Sequence, residues 1–243
     1  MRKTIATLVI LILIIASVCS IIGITSKSGN GSWQFTTVNN EIVEIYGSGI
    51  YKNDSISTAS QAIGQDIITL FIGIPFLILS LILSIKRLKG LFLLTGTLGY
   101  FLYTYMSYAF LAMYNSLFLF YVILMSSSLC AFILCIILIA KYYLKDCFED
   151  KFNSRFIGIF MLFMAIALSF MWLGRIIPPL LKNSAPFGLE HYSTLIIQAL
   201  DLGLIVPTCS LAGIFTLKRK PLGYLLSSLM VIKHGFSWKT NTP

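Results

Sequence analysis

Four polar residues sit inside or at the borders of long apolar runs: Asp66, Arg175, Gln198 and Asp201. An ionisable side chain at the centre of a bilayer costs about 2.5–3.5 kcal/mol or more, so such residues mark ion or substrate paths, or pair with one another. Asp201 lies seven residues past Thr194, or roughly 10 Å into its run by helical rise. Gln198 lies one helical turn before Asp201 and shares its face. Arg175 ends the preceding apolar run on the same side and is the natural ion-pair partner. Asp66 opens an earlier run at a similar height. Together the four could line a polar cavity that binds an ion or small polar ligand. They could equally form an interhelical salt bridge that fixes packing.

A second constellation is aromatic. Tyr100, Tyr103, Phe110 and Tyr114 recur at helical spacing with Ser107, while Tyr105 and Tyr108 lie on another face. Tyrosine hydroxyls in an apolar phase need partners. Tyr100, Tyr103 and Tyr114 could line a pocket for a flat apolar ligand such as a quinone or a lipid, or could serve packing and interfacial anchoring. Gly96 and Gly99 on the same run suit the close approach of a neighbouring helix.

Other chemistries find no support. The two histidines, His191 and His234, fall in a loop and in the tail, which excludes a bis-histidine haem bundle. There is no Walker A loop, no G-x-S-x-G and no H-E-x-x-H. Ser126-Ser127-Ser128 has no nearby base and reads as helix–helix hydrogen bonding. Cys130 and Cys135 fall on different helix faces and read as packing residues. No catalytic residue, metal ligand or cofactor is expected.

The elements that must position these residues follow from hydropathy. Of 243 residues, 57% are hydrophobic and 11% are charged, against about 25% charged in a soluble domain. Six apolar stretches approach or exceed the length a bilayer core demands: Thr4–Ile24, Asp66–Ile85, Leu91–Tyr114, Leu117–Ala140, Phe156–Gly174 and Thr194–Leu217. A seventh, Leu222–Ile232, is short. The first reads as an uncleaved signal anchor, because its apolar stretch exceeds a signal core and no small-x-small cleavage site follows. The fold expected is therefore an all-α polytopic transmembrane helix bundle, with six spans plus a truncated or short seventh, in contact with the lipid bilayer.

The net charge of +9 reports sidedness rather than a nucleic-acid partner. Arg2, Lys3, Lys86, Arg87, Lys89, Lys141, Lys145, Lys151, Arg155, Lys218, Arg219 and Lys220 fall on one side of the six spans; Lys27, Lys52, Arg175 and Lys182 fall on the other. This asymmetry predicts a cell-membrane protein with a cytoplasmic N-terminus. Residues 25–65 then form an extracytoplasmic loop between the first helix (1–24) and a bundle over 66–232, with a polar tail at 233–243. Within the loop, Trp33–Val38 and Glu41–Tyr46 alternate around Asn39-Asn40, which predicts a small β-hairpin. It could cap the bundle or bind a ligand or a membrane-protein partner.

One internal echo is visible. Gln61-Ala62, Asp66, Pro75, Lys86-Arg87 and Gly90 recur as Gln198-Ala199, Asp201, Pro207, Lys218-Arg219 and Gly223. This suggests a parallel repeat of about four helices. On that pattern, the run from Leu222 would match the span from Leu91 and would continue in a longer relative. Pro75 and Pro207 predict kinks, and Pro178-Pro179 with Pro186 predict the connection between the fifth and sixth spans. The stretch Leu93–Tyr105, Asp66 with Gly73 and Pro75, Tyr114-Asn115 with Phe118-Leu119, and Asp201-Leu202-Gly203 with Pro207 together resemble a group of uncharacterised bacterial multipass membrane proteins. That resemblance implies a multipass fold and adds no catalytic residue. The expected role is binding or moving a small polar ligand or ion; the alternative is a non-catalytic membrane accessory or assembly protein.

Overall fold

The structure is a computed structural model and describes residues 1–143 and 154–237. Part of the charged run Lys141–Arg155 and residues 238–243 of the tail lie outside the described residues, as does Cys147. Among the described residues the chain is helical apart from one hairpin. The elements are α1 (Arg2–Thr25), β1 (Trp33–Thr36), β2 (Ile42–Ile45), α2 (Ile56–Ile68), α3 (Ile74–Lys86), α4 (Leu88–Leu111), α5 (Phe118–Tyr143), α6 (Ser154–Leu181), α7 (Ile196–Leu200), α8 (Val206–Leu217) and α9 (Pro221–Ser237). Five helical rods are long and apolar enough to cross a membrane: Arg2–Thr25, Ile56–Ile85, Phe118–Lys141, Ser154–Leu181 and Ile196–Leu217. The sixth expected span, α4, has the length, with 24 residues or about 36 Å, but is less apolar. Its threonines, glycines and tyrosines face protein: twelve of its residues are buried.

Two rods contain a turn of π-helix. Thr69–Gly73 joins α2 to α3, and Asp201–Ile205 joins α7 to α8. Each precedes a proline by two residues, Pro75 and Pro207. Proline lacks an N–H and its ring crowds the carbonyl four residues back. A π turn moves that carbonyl aside by adding a residue to the turn, and the N–H of Ile74 bonds Thr69 O. The kinks expected from the prolines thus take the form of π turns. Pro178 and Pro179 differ from expectation more plainly: α6 runs through them to Leu181 rather than ending near Gly174.

The chain forms two compact units, Met1–Ile139 together with the residues from Ile232 onward, and Ala140–Val231. In the first, α3 turns into α4 at Arg87, which is extended. Gly90 then packs against the α3 backbone so closely that a Cβ there would lie 2.3 Å from the Leu83 carbonyl carbon. The loop after α1 holds β1 and β2, paired antiparallel with Trp33 opposite Ile45 and Thr36 opposite Ile42. Its turn is closed by Thr37 and Glu41, with Asn40 at φ 59°. Backbone bonds from Tyr46 to Asp54 and from Gly31 to Gly47 fold the loop back on itself. Ser26 Oγ accepts from the Ile50 N–H, and Asp54 Oδ1 accepts from the Met113 N–H. The loop therefore caps one end of this unit.

In the second unit, α6 and α8 meet through Gly158 and Gly213. A Cβ on Gly213 would come within 2.9 Å of Gly158 O and 2.7 Å of the Leu162 side chain. Thr216 and Ser227 share a buried hydrogen bond of 2.9 Å that ties α8 to α9. Gly213→Leu is expected to destabilise the protein by roughly 1–3 kcal/mol through overpacking. Gly64→Ala, at a helical glycine with open space around it, is expected to cost nothing. Thermal unfolding midpoints in detergent check both.

Candidate ligand-binding site

Asp66 is the most deeply buried of the four polar candidates, at 3% exposure. It stands on α2 three residues before the first π turn. Four elements of the first unit converge on it. From α1, Gly23 lies so close that a Cβ there would fall 1.8 Å from Asp66 Oδ2. From the loop, Tyr51 Oη donates to Oδ2 at 2.6 Å. From α4, Tyr108 Oη lies 3.1 Å from Oδ1 and 2.8 Å from the carbonyl of Ala62. From α5, Tyr121 stacks on Tyr108 with ring centroids 5.0 Å apart. Tyr51 also stacks on Tyr108, and Tyr105 on Tyr121.

The polar inventory of this cluster is uneven. An ionised carboxylate can accept about four hydrogen bonds. Here it receives one from Tyr51 and part of another from Tyr108, whose single hydroxyl hydrogen also faces Ala62 O. Among the described residues Asp66 has no cationic partner. Around it, the hydroxyls of Ser20, Tyr105 and Tyr121 are buried without a well-formed hydrogen bond. Ser20 lies beside the carboxylate and Tyr121 beside Tyr51. Burial pushes the Tyr51 hydroxyl well above its ordinary pKa range, and the neighbouring Tyr108 and Asp66 add to the rise. Tyr51 is therefore a proton-bearing donor at any physiological pH.

A second polar chain lies one turn away, at the π turn. Gln65 Nε2 donates to Tyr100 Oη at 2.5 Å and reaches Thr69 and Thr104 at 3.4 Å. Tyr100 and Thr69 are 3.0 Å apart. Gly73, within the π turn, lets the Tyr100 ring approach: a Cβ would lie 3.1 Å from Tyr100 Cε1.

The other candidates belong to the second unit. Asp201 is half-buried, begins the second π turn, and accepts from Trp172 Nε1 of α6 at 2.9 Å. Arg175 does not take up the expected pairing with Asp201. Its Nε donates to the carbonyl of Phe187 at 2.8 Å and its guanidinium sits 5.5 Å from that ring. Gly188, at φ 74°, allows the loop to close on it: a Cβ there would meet Arg175. Gln198 is buried on α7.

Among the aromatic candidates, Tyr100 is buried and Tyr103 is half-buried. Tyr114 lies beyond the end of α4, exposed, against Phe118. The aromatic face buried beside Asp66 is instead Phe101, Tyr105 and Tyr108, at the 3–4 residue spacing of a helical stripe. Sequence reasoning passed over Tyr51, Tyr121, Ser20 and Gly23. Two signals pointed their way: a pair of tyrosines three apart in a helix that must satisfy its hydroxyls, and a lone glycine near the end of an apolar helix. Among the described residues no group of three His, Cys, Asp or Glu converges on a metal-sized site.

No family model, curated protein or solved structure matches this chain. The site therefore stands on its own geometry. Tyr51→Phe removes the better of the two hydrogen bonds to the carboxylate and is expected to lower stability by about 1.5–3 kcal/mol. Tyr114→Phe, on an exposed ring, is expected to stay within about 0.5 kcal/mol of the parent. Unfolding in detergent, followed by near-UV circular dichroism, measures the difference.

Proposed function

We propose that this chain is a multipass integral membrane protein that binds, and in the membrane moves, a small polar ligand or ion, and that the ligand is a small monovalent cation held at Asp66. The supporting observation is a buried carboxylate with unfilled acceptor capacity, no cationic neighbour among the described residues and a surround of hydroxyl oxygens. An uncompensated buried charge is costly. A cation would remove that cost, and hydroxyl and carboxylate oxygens are the hard ligands an alkali cation prefers. In this reading α4 is a sixth span, shielded from lipid by its neighbours. In the same reading the N-terminus is cytoplasmic and the hairpin loop lies outside the cell membrane, a sidedness favoured by the excess of Lys and Arg on alternate connections.

A second reading, a membrane accessory or assembly protein, draws on the hairpin. Trp33, Phe35, Val38 and Ile42 are all exposed there, Val38 at 97%. Apolar residues exposed together mark partner or membrane contacts.

Asp66→Asn keeps an acceptor for Tyr51 and removes the charge. The parent in detergent is expected to gain thermal stability in sodium or potassium chloride over N-methylglucamine chloride at equal ionic strength. Asp66→Asn is expected to lose that gain while unfolding cooperatively. A parent indifferent to both cations sinks the reading. For orientation, Lys52→Cys in a cysteine-free background is expected to react with an impermeant maleimide on intact cells. Lys89→Cys is expected to react only after permeabilisation.

A further inference from the structure

A cation at Asp66 needs a way in, and the closed structure blocks the carboxylate itself. Asp66 is 3% exposed. Tyr51 Oη holds Oδ2 at 2.6 Å. The flank beside it is filled by α1: a Cβ on Gly23 would fall 1.8 Å from Oδ2 and 2.9 Å from Tyr51 Oη. The Tyr51 ring is 1% exposed and stacks on Tyr108. A phenol on a carboxylate presents its hydrogen to the oxygen, and a cation approaches that oxygen through the same lone pairs. With α1 closing the other flank, hydrogen and cation compete for Oδ2.

Tyr51 belongs to the element around Asp66 that is easiest to move. α1, α2, α4 and α5 are helices held by continuous backbone ladders. Residues 46–54 instead form a small closed loop, whose ends meet through Tyr46 N–H to Asp54 O at 2.9 Å and Gly47 N–H to Lys52 O at 3.0 Å. Both ends are anchored: Gly47 O accepts from Gly31 N–H, and Asp54 Oδ1 accepts from Met113 N–H. Between the anchors, the tip is fastened to the end of α1 by Gly49 N–H to Ser28 O and Ile50 N–H to Ser26 Oγ. Lys52 and Asn53, the two residues after Tyr51, are exposed. Tyr51 thus spans from a solvent-facing turn directly to the carboxylate. Turns with exposed backbone open at lower free energy than packed helices.

We infer that the tip, residues 48–53, is the gate of the Asp66 site: Tyr51 closes the empty site as a tethered competitor, and the entering cation displaces it through the loop-capped end of the first unit. The inference rests on the cation reading of Asp66. Each binding event then breaks the Tyr51–Asp66 hydrogen bond and frees the tip from Ser26 and Ser28. The empty site stays dry and its carboxylate stays met by a donor. The cost is weaker binding than the bare carboxylate would give.

Equilibrium binding of radiolabelled sodium to the purified full chain in detergent tests this with two variants. Tyr51→Phe removes the competing hydroxyl and keeps the ring, so sodium should bind about tenfold or more tighter. A phenol that only braced or ligated the site would give unchanged or weaker binding on removal. Either result in a Tyr51→Phe protein that unfolds cooperatively overturns the inference. Ser26→Cys with Ile50→Cys, in a cysteine-free background, ties the tip to the end of α1. The oxidised protein should bind no sodium, and reduction of the same sample should restore binding. An oxidised, cross-linked protein that binds as its reduced form does also overturns the inference. If the parent chain binds no sodium, or Asp66→Asn binds it as the parent does, the cation reading of Asp66 falls instead, which separates the two failures.

Discussion

The hydrogen bonds that hold the Asp66 carboxylate organise the first unit. A carboxylate among apolar helices must be met by donors or by a cation, and this chain supplies phenols rather than ammonium or guanidinium groups. Each phenol imposes something on its element. Tyr108 requires α4 to turn its tyrosine face inward, which makes α4 the most buried and least apolar of the long helices. Tyr51 requires the loop after α1 to descend into the helices. The hairpin and its flanking backbone bonds brace that descent. Gly23 is required because no other residue leaves room for the carboxylate beside α1.

The π turns solve a different problem with a similar economy. A proline in the middle of a membrane helix leaves a carbonyl without its donor. Widening the turn lets the rod continue at full length while the axis shifts. In the first unit the wide turn also brings Gly73 against Tyr100 and sets Thr69 beside its hydroxyl. The backbone irregularity and the polar side-chain chain are therefore one feature. In the second unit the wide turn begins at Asp201, which Trp172 satisfies from α6. Arg175 is left to brace the loop at Phe187.

These arrangements bear on function through what they leave unfilled. Packing in both units is close enough that glycines are needed at the helix contacts. Within that density, a carboxylate with spare acceptor capacity and several unpaired hydroxyls stands out against the general rule that buried polar groups are satisfied.

The sequence by itself determined the long apolar helices, most of their approximate ends though not that of α6, the hairpin and the presence of costly polar residues within apolar runs. These depend on local quantities: hydropathy over about twenty residues, alternation over four, and turn residues such as Asn39-Asn40. The Gln-Ala and Asp residues of the sequence echo align by identity, whereas the two π turns, at Thr69–Gly73 and Asp201–Ile205, lie 132 positions apart. What only the tertiary structure decided was partnership. Arg175 and Asp201 look complementary by charge and position, yet loop closure at Gly188 takes the arginine and the Trp172 indole takes the aspartate. Tyr51 sits in a polar loop that nothing local marks as buried, and it becomes the shortest contact to Asp66. Hydrogen-bond partners are chosen by which side chains meet once four elements have packed, and that depends on distances between residues far apart in the chain.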